Sequence, residues 1–134
     1  PVMVMADRIR LEQVIINLLR NALDATKATA DPQLEILLTA GETAMLSVRD
    51  NGHGIADLES LFEPFYTTKS PGDGVGLGLA ISSGIVNDLG GRLTARNAPG
   101  GGAIFEVQLP VLGAYSPTAP FDCPKSKRIF DCGC

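Results

Sequence analysis

Ten of the fifteen glycines in this 134-residue chain fall between Gly72 and Gly102, mostly in three clusters with different consequences. The first, Gly72-Asp73-Gly74-Val75-Gly76-Leu77-Gly78, has glycine at every second position and runs straight into the apolar pattern Leu79, Ile81, Ile85, Val86 and Leu89. That pattern has helical spacing, so the run reads as a loop entering a helix. The second cluster, Gly90-Gly91, stops the helix. The third, Gly100-Gly101-Gly102 after Pro99, separates two β-type runs, Arg92 to Asn97 and Ala103 to Leu109, and reads as the turn of a hairpin.

The residues before the glycines are organised differently. Val2 to Ala6 is a short apolar strand, and Asp7 is placed to cap a long helix running to about Ala28. Leu11, Val14, Ile15, Leu18, Ala22 and Ala25 recur at three- and four-residue steps and make one buried stripe. Asn17 and Asn21, four apart, put two amides on one face along the edge of that stripe. Ala30-Asp31-Pro32 ends the helix. Two β-type runs follow, Leu34 to Ala40 and Ala44 to Asp50, joined as a hairpin by Gly41-Glu42-Thr43. Asn51 to Ile55 is turn-rich, and Leu58 to Phe65 is a short apolar stretch broken by Pro64. Hairpins interleaved with helices fit an antiparallel or mixed sheet covered by helices on one face, not a doubly wound parallel sheet.

Composition narrows the function classes. A chain that is 45% hydrophobic and 19% charged suits one soluble domain with a single core. A net charge of −4 gives no broad electrostatic grip on nucleic acid or anionic membrane, so any phosphate must be held locally. No apolar run is long enough to cross a bilayer, and the start at Pro1, with no initiator Met or signal-like segment, is expected of a piece of a longer protein. Beyond Pro110 the periodicity disappears and four of the nine prolines crowd between Pro110 and Pro124. Residues 1–110 therefore read as the folded domain, and Val111 to Cys134 as a poorly ordered tail or linker. All three cysteines, Cys123, Cys132 and Cys134, lie in that tail, so no disulfide framework holds the domain. Cys132-Gly133-Cys134 is too short a spacing for the usual zinc knuckles, and unpaired thiols are expected.

Three groups can carry chemistry. Asn17 and Asn21 can offer amide oxygens to a hard cation such as magnesium, which keeps several waters while phosphates complete its shell; equally, they can lie at a wet helix edge. Asp50 ends an apolar strand just before Asn51-Gly52-His53-Gly54-Ile55, where a carboxylate can accept a hydrogen bond from an exocyclic amine such as that of adenine. Such a charge-assisted bond contributes about 1.5–3 kcal/mol. Asp-Asn-Gly is also ordinary turn chemistry. The Gly72 to Gly78 run can cradle phosphates at a helix N-terminus or serve as a flexible lid, and the two are compatible. It is neither a dinucleotide fingerprint, since no strand leads into it, nor a Walker A loop, which ends in Gly-Lys-Ser/Thr.

The order of these groups is more specific than any one of them. Asn17-Leu18-Leu19-Arg20-Asn21-Ala22, Asp50-Asn51-Gly52-His53-Gly54-Ile55, Leu61-Phe62-Glu63-Pro64-Phe65-Tyr66-Thr67-Thr68-Lys69 and Gly74-Val75-Gly76-Leu77-Gly78-Leu79 resemble, in turn, the N, G1, F and G2 boxes of sensor histidine kinases. The resemblance covers about residues 2 to 110, and the Glu-Pro-Phe-Tyr-Thr-Thr-Lys form is similar to the nitrogen-regulation and dicarboxylate-sensing branch of these two-component kinases.

The resemblance implies the Bergerat (GHKL-type) α/β two-layer sandwich, a mixed, mainly antiparallel sheet of about five strands covered on one face by about three helices. It implies ATP and Mg2+ as cofactors. Asn21 is then the magnesium ligand, and Asn17 lies near the attacked phosphate. Asp50 partners the adenine amine, and Gly52, Gly54 and Ile55 shape the pocket. Gly74, Val75, Gly76, Leu77, Gly78 and Leu79 form the lid, Lys69 reaches the terminal phosphates in a catalytic role beside Asn17, and Phe62 and Phe65 pack the lid's base. Gyrase-type, mismatch-repair and heat-shock chaperone ATPases carry a water-activating glutamate at the position of Asn17. An amide cannot act as that base, so phosphoryl transfer fits better than hydrolysis.

There are departures from the family pattern. Ala103 replaces a common threonine or serine, Thr67 stands where many relatives have an arginine or lysine, and Asp24 replaces a basic residue. Phosphate contacts then rest more on Lys69 and the backbone, and Tyr66 packs the lid or core. His53, the only histidine, falls at a variable position inside the G1 box and is not the phosphoacceptor. The implied partners are the dimerisation domain that carries that histidine and a response regulator, with no nucleic acid. The implied setting is a cytoplasmic domain, monomeric when isolated, of a homodimeric parent anchored in the inner membrane. A catalytically silent nucleotide-binding module is the alternative.

Overall fold

In the computed structural model, residues 4, 6–64 and 77–111 are described. They form α1 (Arg8–Ala25), β1 (Leu34–Ala40), β2 (Thr43–Asp50), α2 (Gly78–Asp88), β3 (Arg92–Asn97) and β4 (Ala103–Pro110). The four strands make one sheet in the order β1-β2-β4-β3, antiparallel at every described pairing. This is the expected α/β sandwich. The described residues supply four strands and two helices, against the expected five and three, and no parallel pair. Of the expected strand from Val2 to Ala6, Val4 and Ala6 are described, and Val4 makes an isolated antiparallel bridge with Val111.

Helix α1 starts where its cap predicts: Asp7 accepts hydrogen bonds from the Ile9 and Arg10 amides, two of the donors that a helix N-terminus leaves free. It ends at Ala25, three residues short of the expected Ala28. Thr26 turns its hydroxyl back onto the Ala22 and Leu23 carbonyls, at 3.0 and 3.1 Å, and the Ala25 carbonyl accepts instead from the His53 amide. Helix α2 ends in a Schellman arrangement. Gly90, at φ +80°, donates its N–H to the Asn87 carbonyl, and Gly91 donates to Val86.

Directly opposed residues in the sheet share a face. The row Ile36, Val48, Phe105 and Ala95 crosses all four strands on the inner side. There α1 packs on β2, and α2 on β3 and β4. Val14, Leu18, Val48, Val86, Phe105 and Val107 are essentially sealed from solvent, each worth about 1.5–3 kcal/mol in burial. Strand β1 lies beyond the helices: every residue of it is exposed, Ile36 at 55% and Leu38 at 62%. The stretch from Leu58 to Pro64 is a series of turns, with Leu61 buried and Phe62 packed against the core.

Candidate functional site

Asp50 is the last residue of β2 and is 1% exposed. Its Oδ1 accepts the Gly52 amide at 2.9 Å, which tightens the turn that follows. Its Oδ2 is buried with no partner among the described residues, and Asp50 lines a cavity of about 810 Å³. A buried acceptor left unmatched costs about 1–3 kcal/mol. One that borders a cavity therefore points to a ligand that brings a donor.

The last turn of α1, the turn after β2 and the β3–β4 turn wall most of the cavity, and Leu61 and Phe105 complete it. The backbones of those three segments lie so close that side chains are excluded at two points. A Cβ on Gly52 would run into the Ala25 carbonyl, and one on Gly102, at φ +88°, into the Asp50 carbonyl. The β3–β4 turn thus rests on the same strand end that carries the carboxylate. From its other side it reaches the loop at Ile55. Asn97, closing β3, accepts the Ile55 amide at 2.7 Å and donates to the Ile55 carbonyl at 3.0 Å. Asn51 grips the other flank of the β2 turn similarly, accepting from the Gln33 amide and donating to the Asp31 carbonyl, both at 2.8 Å.

Of the residues singled out from the sequence, Asn21, Asp50, Gly54 and Ile55 come together around this cavity, and Asp24, His53 and Ala103 also stand on its wall. Gly52 does not line it; its part is the close packing under Ala25. Asn17 faces α2 instead, donating Nδ2 to Ser82 Oγ at 3.1 Å and more weakly to the Gly78 carbonyl at 3.4 Å. Leu77 and Gly78 open α2, and half-buried Leu79 packs against the core. Lys69, Gly74, Val75, Gly76, Phe65, Tyr66 and Thr67 lie outside the described residues. His53 is exposed, its Nδ1 2.7 Å from the Gly54 carbonyl.

Sequence reasoning missed Asn97, Gly102 and Lys27 as cavity residues. An amide ending a strand just before a glycine-rich turn was the available signal for Asn97. Lys27 sits at the cavity rim, paired with Asp24 at 3.2 Å, so a cation stands three residues beyond the position where the sequence lacks one. Asn21 lines the cavity, and its amide oxygen is the kind of hard donor that a magnesium ion keeping most of its waters and taking phosphate oxygens would accept.

Residues 6–113 match the model of the histidine kinase-, DNA gyrase B- and HSP90-like ATPases. The chain belongs to this ATP-binding family. Within the family, its similarity is to sensor histidine kinases. It is 48% identical over 110 residues to the two-component sensor PprA of Pseudomonas aeruginosa, covering 76% of this chain and 12% of that protein. It is 50% identical over 109 residues to the C4-dicarboxylate transport sensor protein DctB of Rhizobium meliloti, covering 78% and 17%. Among solved structures, the catalytic domain of histidine kinase ThkA superposes with a TM-score of 0.69 at 36% identity, over 80% of this chain and 71% of that one. The chain thus spans less than a fifth of the length of these two curated relatives, and corresponds to the catalytic, ATP-binding domain of a sensor kinase. No described helix is long and apolar enough to cross a membrane.

Proposed function

We propose that this domain binds ATP with Mg2+ and presents the γ-phosphate to a histidine on a separate dimerisation domain, from which an aspartate of a response regulator receives the group. The observation that carries the reading is the buried Oδ2 of Asp50, a residue that lines the cavity, which has no partner among the described residues. An exocyclic amine such as that of adenine supplies the missing donor. Asn21, on the cavity wall, offers its amide oxygen to magnesium, which when bound neutralises phosphate charge. Asn17 lies one turn earlier on α1 and is assigned to the attacked phosphate; as an amide it provides no base to activate water, which favours transfer over hydrolysis. Lys69 and the residues from Gly74 to Leu79 are assigned to the triphosphate and its lid. In the cell the domain works in the cytoplasm, within a homodimeric, membrane-anchored parent.

The test is a calorimetric titration with ATP, with and without magnesium. Wild-type protein is expected to bind, Asp50→Ala to lose most of that affinity, and Asn21→Ala to lose the magnesium dependence. Wild-type affinity in Asp50→Ala would sink the adenine assignment. Adding labelled ATP and the parent's dimerisation helices is expected to label a histidine. Nucleotide binding without label would leave a silent binding module.

A further inference from the structure

Asp50 is an acceptor, so by itself it demands only that a ligand bring a donor. Discrimination among bases depends on what else the cavity wall offers, and there the decisive residue is Asn97. Ile55 lies on the same wall, and without a protein partner its amide and carbonyl would stay open to hydrogen bonding. Instead, the Asn97 side chain pairs with both, Oδ1 to the amide at 2.7 Å and Nδ2 to the carbonyl at 3.0 Å. The fit is close, since a Cβ on Gly54 would come within 2.9 Å of Asn97 Oδ1. The contact joins positions 42 apart in sequence and ties the third glycine cluster to the turn after β2.

We propose that Asn97 is a specificity-positioning residue: by occupying both polar groups of Ile55 it withdraws from the wall a donor that a base carbonyl could use, so that the Asp50 carboxyl favours an amine-bearing base over one with a carbonyl in its place. The inference rests on the nucleotide-binding reading above. Guanine has a carbonyl where adenine has its amine. That oxygen meets an acceptor at Asp50 and, with the Ile55 amide already paired, no donor at Ile55. A wall that hydrogen-bonds one base leaves its polar groups unmatched with the other, and this is where large selectivities arise. Freeing the Ile55 amide supplies the donor that guanine lacks.

The experiment compares ATP and GTP affinities, each with magnesium, for wild type, Asn97→Ala and Asn97→Asp, together with amide hydrogen exchange at Ile55 in the nucleotide-free wild type. The expected result is a fall of about tenfold in the ATP-over-GTP preference of Asn97→Ala, the weight of one hydrogen bond. A smaller fall is expected in Asn97→Asp, which keeps an acceptor for the Ile55 amide. The Ile55 amide is expected to exchange slowly in wild type. A loss of affinity for both nucleotides with an unchanged ratio would make Asn97 merely structural and overturn the proposal, as would free exchange at Ile55 should the alanine variant not fold. Failure of wild type to bind ATP at all would instead overturn the underlying reading.

Discussion

Asn17 and Ser82 meet across the two helices, the Asn17 amide donating to the Ser82 hydroxyl at 3.1 Å, with Ser82 wholly buried. The N-box asparagine therefore does structural work at the start of the helix that follows the glycine-rich run. Ser82→Ala is expected to lower stability by about 1 kcal/mol, one ordinary hydrogen bond, read as a shift in the urea midpoint at constant slope. Asn17→Ala is expected to cost more, about 1–3 kcal/mol, because it leaves the buried hydroxyl without the donor it accepts from. An equal midpoint for Asn17→Ala and wild type would show that the contact contributes nothing.

The third glycine cluster allows a comparison at matched φ. Gly100 and Gly102 have φ of +84° and +88°, a region that costs other residues about 1–2 kcal/mol. Around Gly100 there is open space, whereas a Cβ on Gly102 overlaps the Asp50 carbonyl. Gly100→Ala is expected to lose only the backbone cost. Gly102→Ala adds a clash with a strand end that cannot move without carrying the Asp50 carboxyl with it, so its loss in urea denaturation is expected to be clearly larger, and nucleotide binding to weaken as well. Equal losses would mean that the turn moves off β2 freely.

These cases show which parts of the molecule were legible in the sequence. Asp7 and Gly90-Gly91 mark helix ends through bonds to neighbours within a few residues, so both ends were readable, as were the two hairpins. The far end of α1 was not. Thr26 competes for the last carbonyls, and the Ala25 carbonyl is taken by His53, a contact made only once the sheet is in place. The motifs brought Asn21, Asp50, Gly54 and Ile55 to one cavity. Asn97 escaped because its partner is 42 residues away and a single amide leaves no periodic trace. The run Leu34 to Ala40 announced a strand, but its apolar residues gave no sign that the strand would sit at an edge beyond the helices.

Asp57 sets a pH-dependent contact beside the site. Its Oδ1 accepts the Glu59 and Ser60 amides at 3.1 and 3.2 Å. Hydrogen bonds from the Ser60 side chain and backbone hold its pKa below the usual 3.8. A lowered carboxyl pKa means that the folded turn favours the charged form. The contribution is thus fully present above pH 3.8 and is lost as the pH falls through the depressed value. The expected NMR titration of Asp57 has its midpoint below 3.8, and Ser60→Ala moves it back up. A midpoint at the ordinary value would mean that the turn is not capped in solution.

Ile36 and Val48 are directly opposed on β1 and β2 and share the inner face, yet one is 55% exposed and the other 1%. Substituting the same residue at both isolates what the helices cover. Threonine is β-branched and suits a strand at either place, so propensity changes little. At position 48 it introduces a hydroxyl into a sealed layer between β1, β4 and α1, where an unmatched polar group costs about 1–3 kcal/mol. At position 36 the hydroxyl meets water and the lost apolar contact is partial, so the change is expected to stay within about 0.5 kcal/mol. Urea midpoints for Val48→Thr and Ile36→Thr measure the difference. Similar losses at both would mean that the inner face of β1 is covered in solution, by a second copy or by another part of the chain. In that case the wild-type midpoint should depend on protein concentration if the cover is a second copy, with Ile36→Thr weakening that dependence, and should not depend on it if the cover is the chain itself.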